Sequence, residues 1–379
     1  MKITKFFALL SVATLGFVAC EPVENTQKPE PAPEVKGSIT LEASSTTVAL
    51  GESVTFTATM KDAETGEVTD VTEFVSIYDS ELNKISNPWK ASASGSYTFN
   101  ATYGAESSNN VTITVLAQMP EIPADPQPAN TKFNHRAVII DHTGVNCGYC
   151  PMMTESLLLL EKTEWHGYYN EVTCHAGSMA SGDPGNSAAA NALNEMQKPN
   201  GYPNLNINFY TATVGNYGGS TTVNYIAQAL NSYIKKDGAD VGISMAVTGD
   251  STGLYCAAQV KSAKSQEYKV VAWLLESGIY SPNQSGATKD YHKIYNYALR
   301  NISGSYSKTN VQGESIGVLA EGETYDCAFE LPITNTKWKY ENMGVLVIVS
   351  AKDANNRWEV VNSSYCSLND GEKAYEYIK

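Results

Sequence analysis

The sequence predicts a multidomain exported protein in which a β-sandwich, an α/β domain and a second β-sandwich follow one another. Three observations support this prediction. An apolar run after a basic start opens the chain, two proline-rich segments separate regions of different pattern, and strands alternate with helices only over residues 132–238. At 379 residues the chain is also too long for one ordinary domain.

The N-terminus has the pattern of an export signal. Residues 1–19 combine a basic start with an apolar run over Phe6–Val18, which is too short to span a bilayer. The run ends in Phe-Val-Ala-Cys, which resembles a bacterial lipobox, so Cys20 is the predicted lipidation site. The alternative is an ordinary signal peptide followed by an incidental cysteine. Residues 20–37, rich in proline and polar residues, are the predicted tether.

Composition excludes several classes of partner. The formal net charge is −14 and no basic run is present, which argues against binding to nucleic acid or to anionic lipid. We therefore expect attachment to a membrane only through the lipid on Cys20. The five histidines are scattered and no second close cysteine pair exists, so neither a metal nor any other cofactor is expected.

Residues 38–117 alternate between apolar and polar side chains with a period of two, and turn residues interrupt them at short intervals. This pattern predicts a small β-sandwich. Val48–Phe56 resembles bacterial immunoglobulin-like repeats, so we expect an immunoglobulin-like spacer domain, with a glycan- or protein-binding module as the alternative. Prolines over residues 118–131 then mark a linker.

Residues 132–238 alternate between strand and helix patterns, which predicts an α/β domain. The predicted strands are Ala137–Ile140, Glu171–Cys174 and Asn204–Tyr210, and the main predicted helices are Pro151 to about Glu164 and Thr221–Lys236.

Residues 239–379 return to a β-rich pattern, which predicts a second sandwich packed on or beside the α/β unit. Cys256 and Cys327 both lie in predicted strands of this region. In an exported protein we expect a structural disulfide between them, with Cys366 as the alternative partner.

The sequence Cys147-Gly148-Tyr149-Cys150 lies between the first predicted strand and helix of the α/β domain. A helix N-terminus stabilises a nearby thiolate, so Cys147 is the predicted exposed nucleophile and Cys150 the resolving thiol. A permanent structural disulfide and half of a zinc site are the alternatives. His175 ends the next strand, where it would stabilise the Cys147 thiolate or carry a proton. The alternative is an exposed polar residue that closes the strand.

The order of these features resembles the thioredoxin fold, in which a C-x-x-C motif opens the first long helix and faces a cis-proline loop. Asp141, six residues before Cys147, occupies the position of the buried aspartate of thioredoxins. The resemblance implies that Asp141 is a general base for Cys150. It also implies that Pro203, after Gly201-Tyr202, is the cis-proline that shapes a peptide groove.

Over residues 132–379 the chain resembles lipoproteins related to the 28-kDa outer membrane protein of Bacteroidetes-type bacteria. The resemblance implies an outer-membrane lipoprotein with a thioredoxin-like core, on either the periplasmic or the cell-surface face. It rests on the following ordered motifs: Asp141–Gly144, Cys147–Pro151, His175–Gly177, Gly201–Pro203 and Tyr291–Arg300.

Two functions agree with the sequence. The first is a thiol–disulfide oxidoreductase or isomerase that acts on exported proteins or peptides and needs no cofactor. The second is a surface binding or adhesion lipoprotein without enzymatic activity, whose C-x-x-C is a structural disulfide. The redox potential of the pair distinguishes the two functions.

Overall fold

The computed structural model of the protein describes residues 37–49, 51–91, 95–116 and 119–378. The predicted signal peptide, the lipidation site Cys20 and nearly all of the tether lie outside these residues. The fold is mostly β, with 44% strand and 14% helix, in agreement with the predicted β-rich domains. In the part that is described, no helix combines the length and the apolar character needed to cross a membrane.

The N-terminal region consists of short strands around one apolar core, all paired antiparallel except β2 and β10, which are parallel. Three strands form a sheet in the order β1-β4-β5, which faces a second sheet in the order β2-β10-β8-β6. Phe56 and Phe99 meet edge to face between them, with ring centroids 5.1 Å apart. The strands are β1 (Gly37–Ala43), β2 (Thr47–Ala49), β3 (Ser53–Val54), β4 (Phe56–Asp62), β5 (Val68–Asp70), β6 (Ser76–Asp79), β7 (Trp89–Lys90), β8 (Gly95–Tyr103), β9 (Glu106–Ser107) and β10 (Val111–Leu116).

The middle region alternates strands and helices. Its elements are β11 (Ala137–Thr143), α1 (Cys150–Leu160), β12 (Tyr169–His175), α2 (Ala188–Gln197), β13 (Asn204–Ile207), β14 (Ala212–Gly215) and α3 (Gly219–Tyr233). Strands β11 and β12 are parallel and α1 connects them, whereas β13 runs antiparallel to β11 and forms a hairpin with β14. Helices α1 and α3 pack on the same apolar core, to which Ile139, Leu157 and Ile226 belong.

The C-terminal region supplies a four-stranded sheet, in the order β22-β16-β15-β25, and further strands that extend the central sheet. Its strands are β15 (Val241–Asp250), β16 (Gly253–Ser262), β17 (Gln266–Glu276), β18 (Ile279–Tyr280), β19 (Ile294–Tyr295), β20 (Ala298–Ile302), β21 (Glu314–Leu319), β22 (Thr324–Pro332), β23 (Met343–Lys352), β24 (Trp358–Ser367) and β25 (Glu372–Lys373).

One nine-stranded sheet joins the middle and C-terminal regions. Its order is β14-β13-β11-β12-β20-β17-β23-β24, with β21 also paired to β17. The junction is the parallel pairing of Thr173 in β12 with Ala298 in β20. Val172 and Trp273, from the two regions, share one buried core. The sheet therefore continues across the predicted boundary after residue 238, and the middle and C-terminal regions share it.

The bonding of the cysteines differs from the prediction for one pair. Cys147 and Cys150 form a disulfide, whereas Cys256 and Cys327 are free buried thiols in place of the predicted pair. In the pairing of β16 with β22, Cys256 lies opposite Phe329 and Cys327 opposite Ala258. The two cysteines are therefore diagonal neighbours, whose Cα atoms stand about 7–8 Å apart in a sheet, beyond the usual reach of a disulfide. Cys174 and Cys366 are also free and buried.

Candidate active site around Cys147 and Cys150

The C-x-x-C loop connects the end of β11 to the start of α1. The Cys147–Cys150 disulfide has an S–S distance of 2.06 Å and a Cα–Cα distance of 5.4 Å. The helix begins at Cys150, with Tyr149 as its N-cap residue and Pro151 in the first turn. Proline is favoured there because the first turn needs no N–H donor. The helix therefore begins at the second cysteine of the motif, one residue before its predicted start at Pro151.

Both sulfur-bearing residues are buried: Cys147 is 3% exposed and Cys150 is 2% exposed. The prediction of an exposed Cys147 is thus wrong for the oxidised state. The cause is a segment from the C-terminal region, residues 281–286, which we call the covering segment. Ser285 donates its backbone N–H to the Val145 carbonyl oxygen at 2.8 Å, and Gln284 donates its side-chain amide to the Cys147 carbonyl oxygen at 3.1 Å.

A second segment holds the loop from the other side. The Asn146 N–H donates to the Met179 carbonyl oxygen at 3.0 Å. The Val145 N–H donates to the Asp183 carboxylate at 2.6 Å. Gly144 lies so close to the Met179 backbone that a side chain at residue 144 would overlap it. Segments from two distant parts of the chain therefore clamp the C-x-x-C loop.

Glu155 on α1 anchors the residues that follow the covering segment. Its carboxylate lies 3.0 Å from Lys289 Nζ, 3.2 Å from His292 Nε2 and 3.3 Å from the Tyr291 hydroxyl. The lysine and glutamate side chains are substantially exposed, whereas that of His292 is buried. Through this cluster, helix α1, which begins at Cys150, contacts the residues that directly follow the covering segment.

A cavity of about 70 Å³ lies beneath the first turns of α1. Alternate residues of a strand point to the same face, so β11 contributes Asp141 and Thr143 to this cavity. In the same way β12 contributes Glu171, Thr173 and His175. The rest of the lining includes Cys150, Leu157, Gln284, His292 and Tyr295. The structure thus brings Asp141, Cys150 and His175, three of the predicted site residues, around one cavity.

Asp141 is the most unusual group of the cavity. It is 2% exposed, and its Oδ1 atom has no hydrogen-bond partner among the described residues. Burial raises the pKa of this carboxyl from 3.8 to about 7. At neutral pH the carboxyl therefore exists in both protonation states. A group that accepts and donates a proton at this pH needs a pKa of this kind.

His175 is buried within the site, which excludes the alternative of an exposed residue that closes the strand. Its Nδ1 lies 2.9 Å from Asp183 Oδ2, and its ring lies against Tyr295 with centroids 4.2 Å apart. Asp183 therefore orients His175 and also holds the C-x-x-C loop through the Val145 N–H.

Pro203 has the cis peptide bond, with Tyr202, that the resemblance implied. The next residue, Asn204, begins β13 and lies opposite His142 of β11. This register places Pro203 at the edge of the sheet where β11 ends and the C-x-x-C loop starts.

Sequence reasoning missed Glu171, Asp183 and the covering segment. Glu171 carried a signal, because an acidic residue in a strand beside the Asp141 strand is unusual. No local signal identifies Gln284, because its contact with Cys147 joins residues 137 positions apart.

Comparison with known proteins gives one match to a family. The family described as "Outer membrane protein Omp28" matches residues 190–367, a little less than half of the chain. The match begins after the C-x-x-C motif and covers β13, β14, α3 and most of the C-terminal strands. Over these residues the chain is similar to that outer membrane family. No curated protein matches the chain significantly.

Among solved structures, HBP35 of Porphyromonas gingivalis is 15% identical to this chain, with a TM-score of 0.49. The superposition covers 66% of this chain and 79% of the HBP35 chain. A DUF4785 family protein of Legionella pneumophila is 8% identical, with a TM-score of 0.17, covering 88% of this chain and 56% of its own. Domains 4–9 of surface layer protein SbsC are 10% identical, with a TM-score of 0.19, covering 90% of this chain and 52% of their own.

Proposed function

We propose that this chain is an outer-membrane lipoprotein of the Omp28-related family, in which a thioredoxin-like C-x-x-C site exchanges disulfides with exported proteins or peptides. The match over residues 190–367 supports the family and the membrane. The lipobox supports anchoring through Cys20, on the periplasmic or the cell-surface face. Mass spectrometry of the mature protein tests the anchor, because an unmodified N-terminus at any residue other than Cys20 would contradict it.

The order of elements supports a thioredoxin-like core. A strand–helix–strand unit, β11-α1-β12, is followed by a strand–strand–helix unit, β13-β14-α3. The four strands lie side by side in the order β14-β13-β11-β12. The C-x-x-C lies at the start of the first helix, and the cis-proline comes directly before β13. These features place the motif at the end of the sheet where α/β proteins build their sites.

The observation that carries the proposal is the Asp141 carboxyl in the cavity that Cys150 lines. A buried carboxyl with an unpartnered oxygen destabilises the fold, and such a group in a cavity beside a C-x-x-C motif supports a functional role. With a pKa near 7, Asp141 matches the requirement for proton transfer to and from a thiol at neutral pH.

Starting from the disulfide, the reaction proceeds as follows. A client thiolate attacks Cys147 Sγ, the bond to Cys150 Sγ breaks, and Cys150 leaves as a thiolate that takes the proton of Asp141. A second client thiolate then attacks the client sulfur of the mixed disulfide and releases Cys147 as a thiolate, which His175 stabilises or protonates. The client is oxidised by two electrons and the C-x-x-C pair is reduced by two. The reverse sequence reduces a client disulfide, with Asp141 accepting the proton of Cys150.

A second function is favoured by the burial of both cysteines. A disulfide sealed between the covering segment and residues 179–183 has the features of a structural bond. In that case the chain is a surface binding or adhesion lipoprotein, and the C-x-x-C holds a strand end to a helix start.

Equilibrium titration against glutathione distinguishes the two functions. Working oxidoreductases have potentials between about −120 and −270 mV, whereas structural disulfides lie below about −300 mV. We expect a value in the first range. A pair that stays oxidised below about −300 mV would contradict disulfide exchange and favour the binding function.

A further inference from the structure

The cavity that holds Asp141 contains a second carboxyl for which the proposed chemistry has no role so far. Glu171 lies on β12, the strand next to β11, and lines the same cavity as Cys150. In the register of the two strands Asp141 lies opposite Thr173 and Glu171 lies opposite Ile139. Glu171 is therefore the diagonal neighbour of Asp141 on one face of the sheet, within reach of a long side chain.

The two carboxyls differ in their access to water. Asp141 is 2% exposed, whereas Glu171 is partly exposed. Any proton that Asp141 takes from Cys150 must leave through the cavity, because the other side of β11 faces the protein interior. Glu171 lines the same cavity and is partly exposed, so it is the carboxyl that can pass this proton on to solvent.

The electrostatics of the pair suit the transfer. Burial, followed by the charges of Asp141 and Glu161, raises the pKa of Glu171 to about 8. That of Asp141 is about 7, so a proton can pass between the two groups without a large difference in free energy. Among the described residues, no lysine or arginine lines the cavity.

The remaining titratable groups around the cavity have other partners or the role at Cys147 proposed above, or they lie outside its sealed part. His175 is bound to Asp183, and His292 to Glu155. Glu161 is exposed, just after the end of α1. The tyrosines that face Glu171 are Tyr169 and Tyr297, whose pKa values burial raises above 10.

We propose that Glu171 is a positioning residue that carries the proton between Asp141 and solvent during each exchange at Cys147–Cys150. When the disulfide opens, Asp141 gives its proton to the Cys150 thiolate and Glu171 returns one proton to Asp141. When the disulfide forms, the same proton moves in the opposite direction. This inference rests on the proposed disulfide exchange.

Glu171→Gln tests the inference, because glutamine keeps the shape of the protonated acid but has no titratable proton. The measurement is the rate at which dithiothreitol reduces the disulfide between pH 5 and 9, followed by alkylation and mass spectrometry. Dividing each rate by the concentration of dithiothreitol thiolate at the same pH removes the ionisation of dithiothreitol itself. Glu164→Gln, an exposed residue that does not line the cavity, is the matched control.

We expect two coupled transitions in the wild-type profile, as for any pair of interacting carboxyls. Glu171→Gln should leave a single transition, about one pH unit lower because the neighbouring negative charge is gone, and should slow reduction roughly tenfold above neutral pH. Glu171→Asp should restore both transitions, and Glu164→Gln should follow the wild type.

Each other outcome is decisive. If the pH profile of Glu171→Gln matches that of the wild type, Glu171 carries no proton although the exchange itself occurs. The same conclusion follows if the variant is reduced more slowly by an equal factor at every pH. A wild-type disulfide that dithiothreitol does not reduce at any pH would instead contradict the proposed function. If Glu171→Gln fails to fold, Glu171→His decides, because histidine retains a titratable group but is positive when protonated. A Glu171→His profile with the wild-type midpoints would overturn the inference.

Discussion

Gly286 lies against the carbonyl oxygen of Gly148 so closely that a Cβ atom at residue 286 would overlap that oxygen. Gly148 is the residue that follows Cys147 in the C-x-x-C loop. The contact brings the covering segment directly onto the motif, beside the hydrogen bonds from Ser285 and Gln284. Access to the disulfide therefore depends on whether this segment stays in place.

Gly286→Ala should displace the covering segment and expose Cys147. The change adds the overlapping Cβ and also strains a residue with φ of +72°. If the substitution destabilises the closed position of the covering segment by about 1.4 kcal/mol, the fraction of molecules with the segment open rises about tenfold. We expect dithiothreitol to reduce the variant disulfide faster by about this factor, measured by trapping the released thiols.

Gly304→Ala is the control for this experiment. Gly304 has nearly the same φ, +69°, but nothing lies within 4 Å of its added Cβ. It therefore reproduces the backbone strain without the contact at Gly148. Equal reduction rates in the two variants would show that the covering segment does not limit access.

Cys150→Ser should trap mixed disulfides with exported proteins, whereas Cys147→Ser should trap none. The first variant retains the attacked sulfur and lacks the thiol that resolves the intermediate. Non-reducing electrophoresis followed by mass spectrometry identifies the adducts. Equal capture by the two variants would remove the assignment of Cys147 as the nucleophile.

Asp141→Asn should stabilise the oxidised protein at neutral and alkaline pH. The folded pKa of Asp141, about 7, lies above the ordinary value of 3.8 for an aspartate, so the folded state binds more protons between these values. Stability is therefore lost as pH rises from about 4 to 7, and the variant avoids that loss. We expect a gain of about 2–4 kcal/mol at pH 8 and almost none at pH 4.

Urea unfolding of the oxidised wild type and variant at the two pH values measures this difference. Glu164→Gln, which removes an exposed carboxylate, should show no such pH-dependent gain. The same small difference at pH 4 and at pH 8 would mean that Asp141 is not held in a sealed site.

Four cysteines should react with an alkylating reagent when the mature protein is unfolded without reduction: Cys174, Cys256, Cys327 and Cys366. In the native protein they should be inert, because burial raises the pKa of each thiol, for example that of Cys366 to about 11. Peptide mapping checks this result. A disulfide-linked peptide that contains Cys256 and Cys327 would contradict the pairing of β16 with β22.

The sequence predicted the elements well where a periodic pattern was strong. The predicted strand at 137–140 and the predicted helix at 221–236 correspond to β11 and α3, because buried faces impose their period on the sequence. Asp141, Cys150 and His175 were also selected from sequence, and they line one cavity. Their positions follow from strand ends and the helix start, which are local features.

The remaining features depend on contacts between distant parts of the chain. The burial of Cys147 results from Gln284 and its neighbours, which carry no motif and no periodicity. The continuous sheet depends on a single parallel pairing between Thr173 and Ala298. Such pairings are set by tertiary packing, which the alternation of side chains along one strand does not encode.

The shared sheet has a consequence for biogenesis. Residues 132–238 contain the whole C-x-x-C motif, yet β12 completes its edge only with β20, and Val172 is covered by a core that includes Trp273. A fragment of these residues would expose an apolar sheet face and an unpaired edge, which together favour aggregation. The motif therefore acquires its native surroundings late, after the C-terminal strands have been made and have joined the sheet. Oxidation of Cys147 and Cys150 before that time would take place in a chain without its covering segment.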